Sequence, residues 1–310
     1  MLHFFLTSAP IFAVVALGFA AARLRLVAPQ GFVAFAAYAF NLALPALMIT
    51  MLARQPFGRS FEPRFFAALL ASGLAVFVAV AVLTATLERA GLAVAGSHAQ
   101  AATGGNQAFL GVPLMLAVVG DRATGPIAMV ILAEVGILMP IGLACMGLGQ
   151  RRAGASRGLA AVLARATLLN PIVLGVAAGA ALGLFGVGLP GPVDRLFTFL
   201  GGSAGPVALF ALGGTLAGQR LGEGWRPVLG LVAVKLVAYP ALAWALLRAA
   251  GLGPDWVSSG TLLAALPTAA YAFVFAQRFE AVPERVSAAI LVSTLAGAVT
   301  FPLTAWLVLP

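Results

Sequence analysis

The chain has 310 residues, 62% of them hydrophobic and 9% charged, with a mean hydropathy of +1.06. A soluble domain carries about 25% charged residues, and a chain of this length has too much surface to hide so many apolar side chains from water. The composition excludes a soluble globular class and points to a polytopic membrane protein. The net charge of +9 is no nucleic-acid footprint, because the 18 basic residues sit mainly in short breaks between apolar runs. There they orient helices and meet lipid head groups.

A helix needs about 20 apolar residues to cross a bilayer. Ten runs qualify: 4–22, 31–53, 65–87, 94–119, 124–148, 167–187, 193–217, 227–249, 257–277 and 286–308. The first lacks the polar, small-residue cleavage region of a signal peptide and is expected to be a retained span. The second carries Asn41 and Pro45 in "FNLALPAL". The fourth holds "QAATGGNQAFLGVP" (Gln100 to Pro113), where Gly104, Gly105, Asn106 and Gln107 interrupt an apolar run. His98, near the start of that run, is expected to be interfacial. The fifth contains Glu134 and the lone Cys145, which forms no intrachain disulfide and suggests no metal site.

The longest polar connection, "GQRRAGASRG" (Gly149 to Gly158), lies near the midpoint. It reads as a linker between two five-span halves, 1–150 and 151–310. In span six, Gly175, Gly179 and Gly183 have the small-xxx-small spacing of a helix contact. Span seven carries Ser203 and Pro206, span eight Lys235 and span nine "LAALPTAAYAF" with Pro267, Thr268 and Tyr271. Odd-numbered loops hold eleven arginines and even-numbered loops six. The odd loops should therefore face the cytoplasm, placing both termini outside the inner (plasma) membrane.

The halves resemble each other. Pro45 and Pro206 are 161 residues apart, as are Asn106 and Pro267; Pro140 and Pro302 are 162 apart. Five spans per half force the second copy to enter upside down, and inverted repeats are a signature of secondary transporters. An unpaired backbone group is not tolerated in lipid, so a break within a span must face protein or a water-filled cavity. Glycine permits unusual angles and close approach, and proline removes a donor. Two such breaks, in spans four and nine, would bring freed backbone groups and half-helix ends together. Helix N-termini favour anions. The expectation is an unwound crossing that binds an anion; the bland alternative is a pair of proline-kinked helices.

"GNQAFLGVPLML" in span four and "LPTAAYAFVFA" in span nine are similar to the two crossover motifs of the auxin efflux carrier family. "FNLALPAL", "GPVALFALGGTLA" and the Lys235-to-Pro240 pattern also resemble that family, and the resemblance covers essentially the whole chain. The family includes plant auxin exporters and bacterial organic-acid carriers. The resemblance implies an all-α membrane protein with a sodium/bile-acid-symporter-like fold. That fold has ten helices in two inverted five-helix repeats, with broken helices 4 and 9 crossed. It implies a scaffold of spans 1, 2, 6 and 7, often dimeric, and a transport domain from the others that works by elevator-type alternating access. A substrate-carboxylate contact of the plant carriers maps to Asn106. The plant motif has proline just before it, where this chain has Gly105. The long cytoplasmic loop of the plant members, with its phosphorylation control, is absent, which favours a bacterial-type carrier.

The expected substrate site is therefore Gly104, Gly105, Asn106, Gln107, Pro267, Thr268 and Tyr271, with Asn41 and Ser203 lining the scaffold side. Glu134 is a candidate proton carrier, since an intramembrane carboxylate must face a cavity or a partner; the alternative is a packed residue. Lys235 attracts the anion, pairs with Glu134 or snorkels to the interface. The expected partners are a small organic anion, the lipid bilayer and a second copy of the chain, with no nucleic acid and no cofactor. "GGSAG" (Gly201 to Gly205) matches a serine-nucleophile pattern that carries meaning only on a strand–turn–helix with a base nearby. A sodium-coupled symporter and a non-transporting receptor are the remaining alternatives.

Overall fold

The computed structural model describes residues 2–54, 61–150, 168–218 and 225–309. In chain order the helices are α1 (Leu2–Arg23), α2 (Pro29–Ala53), α3 (Pro63–Leu87), α4 (Leu92–Thr103), α5 (Gln107–Val118) and α6 (Gly120–Gly149). Then follow α7 (Pro171–Phe185), α8 (Gly191–Ala217), α9 (Trp225–Ala249), α10 (Pro254–Ala264), α11 (Tyr271–Arg278) and α12 (Pro283–Val308). Among the described residues seven of these, α1, α2, α3, α6, α8, α9 and α12, are long and apolar enough to cross a membrane. Their ends lie within four residues of the runs expected from hydropathy. The runs 94–119 and 257–277 are each split into two short helices, α4/α5 and α10/α11. Most of the expected linker, Arg151 to Gly158, lies outside the described residues, as do Arg59, Arg165 and Arg220.

Local chemistry fixes the helix ends. Pro29, Pro171, Pro254 and Pro283 open helices where the missing N–H would have no helical partner. Asn170 caps α7, its Oδ1 accepting from Ile172 N at 3.0 Å and Val173 N at 3.4 Å. Gly186 ends α7 at φ 64°, a left-handed angle that suits glycine.

Four helices contain one wide turn closed by i→i+5 bonds, at Ala39–Ala43, Gln107–Gly111, Glu134–Leu138 and Val234–Ala238. Each is followed by one residue and then a proline: Pro45, Pro113, Pro140 and Pro240. A proline inside a helix removes one hydrogen bond and presses on the preceding turn. An inserted residue relieves that pressure, and such turns occur frequently at functional sites. Pro10, Pro206 and Pro302 sit in helices without such a turn, so proline alone does not dictate it. The four turns carry Asn41, Gln107, Glu134 and Lys235.

The helices form two compact units that interleave along the chain. The first comprises Met1–Glu62, Gln107–Met129 and Leu169–Gln219, and so contains α1, α2, α5, α7 and α8. Here α7 lies against α2 with no room for side chains. A Cβ on Gly175 would stand 2.9 Å from the Pro45 backbone, and one on Gly179 the same distance from Ile49. Phe32 and Phe35 of α2 pack on Phe210 of α8 at centroid distances of 5.6 and 6.0 Å. Arg54 reaches Asp194 at 2.9 Å. The second unit comprises Pro63–Asn106, Val130–Leu168 and Arg220–Pro310, and so contains α3, α4, most of α6 and α9 to α12. Its interior holds the buried polar groups described next.

Candidate functional site

The second unit brings the two breaks together. Helix α4 ends at Thr103 and α10 at Ala264, and the chain segments that follow pair as an isolated antiparallel bridge, Gly105 with Thr268. The Asn106 N–H donates to the Pro267 carbonyl at 2.8 Å, and the Ala269 N–H donates to the Gly104 carbonyl at 3.0 Å. Each break thus satisfies backbone groups that the other frees, which is what a low-dielectric surrounding demands. The Thr268 hydroxyl donates to the Ala101 carbonyl of α4 at 2.9 Å. Its N–H donates to the Ser293 hydroxyl of α12 at 3.1 Å. The Pro267 ring seats on Gly297, where an added Cβ would come within 2.6 Å of the ring. Asn106 and Gln107 are only 5% and 7% exposed.

Gly104 is required for close approach rather than for an unusual angle, since its φ is −65°. A Cβ there would stand 2.5 Å from the Tyr271 hydroxyl and 2.9 Å from the Gln100 carbonyl. Tyr271 opens α11 immediately after the second break. Its hydroxyl donates to Glu134 Oε1 at 2.6 Å and accepts from Gln100 Nε2 at 3.1 Å. Because the single phenolic proton goes to the carboxylate, the amide of Gln100 must turn its nitrogen to Tyr271. Its Oε1 then lies over Gly142 of α6, where a Cβ would overlap it. The Tyr271 phenol, at the end of the second break, thus links Gln100 of α4 to the carboxylate of Glu134.

Glu134 is 4% exposed and Lys235 is fully buried. The Lys235 ammonium donates to the Ala264 carbonyl at 2.8 Å and stands 4.7 Å from the centre of the Tyr239 ring. Its burial rules out snorkelling to the interface. Glu134 and Lys235 are opposite charges that attract one another, and the Ser72 hydroxyl donates to the Leu69 carbonyl at 2.7 Å.

Asn41 and Ser203 lie in the first unit. Asn41 is exposed and its Nδ2 donates to the Ala37 carbonyl at 2.7 Å. The Ser203 hydroxyl donates to the Leu200 carbonyl at 2.7 Å and meets the Tyr38 hydroxyl at 2.8 Å. The segment Gly201–Gly205 lies inside the continuous helix α8, so it forms no strand–turn–helix elbow. His98 is buried, 1% exposed, with Nδ1 at 3.4 Å from the Thr84 hydroxyl and 3.6 Å from Glu88, itself paired with Arg285 at 2.6 Å. Sequence reasoning passed over Gln100, Ser293 and Tyr239. Gln100 carried a usable signal, an amide in an apolar run six residues before Asn106.

The Tyr271 contact yields a test. Gly104→Ala is expected to push the phenol off Glu134 and to cut transport about tenfold, the loss of one hydrogen bond to a charged group. Gly104→Ala combined with Tyr271→Phe, which removes the overlapping oxygen, should be no worse than Tyr271→Phe alone. Additive losses in the double variant would show that Gly104 acts elsewhere.

A multi-pass helical protein with two mutually paired helix breaks inside one compact unit has the makings of a membrane carrier. Residues 3–305 match the family described as "Membrane transport protein". The chain belongs to this family, which is that of the auxin efflux carriers, and is therefore a transport protein rather than an enzyme. The chain is 31% identical over 296 residues to a protein of Rhizobium meliloti (strain 1021) named "Putative malonate transporter", covering 94% of this chain and 91% of that one. It is 27% identical over 198 residues to the "Uncharacterized transporter YfdV" of Escherichia coli (strain K12), covering 63% of this chain and 62% of that one. The same identity and coverage hold for the Shigella flexneri protein of that name.

Proposed function

We propose that this protein is a secondary carrier for a small organic anion, a short carboxylate of the malonate class, bound where the breaks after α4 and α10 meet. The observation that carries the proposal is the pair of backbone bonds Asn106 to Pro267 and Ala269 to Gly104. They hold the segments that follow α4 and α10 against one another inside the second unit. The substrate class follows from the name of the Rhizobium relative and from the match of the span-four Asn to Asn106. The helix ends at the breaks supply N–H groups that favour an anion.

In this proposal ten spans form two inverted repeats, 1–150 and 151–310, each contributing one broken span. The grouping of α1, α2, α7 and α8 in one unit and of α3, α4 and α9 to α12 in the other supports a division into scaffold and transport parts, with α5 falling in the first unit. The second unit would carry the anion by elevator-type motion. Asn41 and Ser203 belong to the scaffold part, whose helices pair two copies of the chain. The protein sits in the inner membrane with both termini outside. Glu134 is the proton site and couples to the breaks through Tyr271.

Uptake of radiolabelled malonate and other short mono- and dicarboxylates into proteoliposomes tests the function. Saturable uptake, competed by unlabelled substrate, is the expected result. Saturable binding without flux would identify a receptor, and flux requiring sodium would identify a symporter. Pro267→Ala is expected to slow uptake about tenfold without lowering the yield of folded protein. Restoring an N–H lets the break close towards a helix and removes the ring that seats on Gly297. Uptake at the wild-type rate would remove Pro267 from the mechanism.

A further inference from the structure

Lys235 is the only lysine in the chain; the other 17 of the 18 basic residues are arginines. It is also the largest charged side chain among the fully buried residues described. Its ammonium lies on the carbonyl of Ala264, the last residue of α10. Beyond Ala264 the chain leaves the helix and passes through Pro267 to the bridge with Gly105. The C-terminal end of a helix carries partial negative charge and carbonyls that have lost their helical donors. At a helix end facing water, solvent meets those carbonyls. Inside a membrane-spanning segment the protein, or an ion, must meet them.

We propose that Lys235 is a tethered cation that fills a monovalent-cation site at the carbonyl end of α10. A main-chain carbonyl lies at 2.8 Å and the face of Tyr239 at 4.7 Å, and Glu134 acts on the ammonium as an opposite charge. Main-chain carbonyls and aromatic faces are what hold monovalent cations in proteins. An ammonium is a compact point charge with rotatable donors and fits a single carbonyl better than the planar fork of arginine. Tyr239 and Lys235 flank the wide turn Val234–Ala238, at its C-terminal border and within it. That turn aims the lysine at the end of α10. Because the cation is covalently held, the broken helix stays neutralised through the transport cycle, and no sodium or potassium ion is needed to hold it. This deepens the carrier reading, and the melting comparison below decides it whether or not the chain transports malonate.

The test uses the full-length protein, purified in detergent and reconstituted in proteoliposomes, in chloride salts of sodium, lithium, potassium or choline at equal ionic strength. Wild type should melt at one temperature in all four salts and take up malonate at rates within about twofold of each other. Lys235→Ala vacates the site, so its melting temperature should be lowest in choline and rise by about 3 °C or more in lithium or sodium, the signature of a ligand bound to the folded state. Lys235→Gln, which keeps a donor but loses the charge, should show the same cation requirement, and Lys235→Arg should not. A variant that folds in sodium or lithium but not in choline supports the proposal. Dependence of wild-type melting or uptake on sodium would overturn it. So would Ala and Gln variants that melt identically in every salt, or that fail to fold in all of them.

Discussion

Asn106→Ala is expected to weaken binding of the transported anion ten- to a hundredfold while leaving the yield and melting of the purified protein close to wild type. A hydrogen bond to a charged group contributes about 1.5–3 kcal/mol, and each 1.4 kcal/mol is tenfold in affinity. The substitution should spare the fold because the pairing of the breaks uses the Asn106 backbone N–H, bonded to the Pro267 carbonyl at 2.8 Å. Alanine keeps that group. Asn106→Pro, by contrast, removes the N–H, leaves the Pro267 carbonyl without this donor, and should lower stability as well as binding. Titration calorimetry with malonate separates the two variants from wild type. Unchanged affinity in Asn106→Ala would remove the side chain from the site.

Glu134→Gln has the second large effect. Glutamine is nearly isosteric, and its amide oxygen can still accept from the Tyr271 hydroxyl, which now bonds Glu134 at 2.6 Å. The contact that joins α6 to the second break is therefore kept and the negative charge is lost. Net uptake driven by a proton gradient should fall to background, whereas exchange of labelled for unlabelled substrate should persist. Removing one partner of a buried charge pair costs about 3–5 kcal/mol, so the variant should also melt earlier. The combination of Glu134→Gln with Lys235→Gln should recover part of that loss, since no buried charge then lacks its opposite. Wild-type response to the proton gradient in Glu134→Gln would rule out the proton role.

Much of the architecture was legible in composition and hydropathy, because lipid demands long apolar helices with no unpaired backbone. The seven long helices follow the apolar runs closely for that reason. The breaks at Gly104–Gly105 and Pro267 were legible too, since glycine, proline and an amide in an apolar run have few other uses. The meeting of the two breaks was expected as well; the particular bonds that join them, from Asn106 N–H to the Pro267 carbonyl and from Ala269 N–H to the Gly104 carbonyl, were not, because backbone bonds leave no trace in side-chain pattern. Nor were the wide turns legible: Pro45 and Pro206 look alike in sequence, yet only Pro45 follows one. The role of Gly104 was half visible. Its small size was the point, but the neighbour that needs the space, the Tyr271 hydroxyl, comes from 167 residues further on. The partners of His98 were not legible either, because Thr84 and Glu88 come from the preceding helix and loop.

The most direct measurement is an experimental structure of the protein with malonate bound, obtained in parallel with the malonate-free form. The anion is expected between the two breaks, with a carboxylate oxygen within hydrogen-bonding distance of the Asn106 side chain and of at least one backbone N–H among residues 105–107 or 268–271. A carboxylate bound elsewhere, with the breaks still closed on one another and no density near Asn106, would contradict the assignment of the paired breaks as the substrate site.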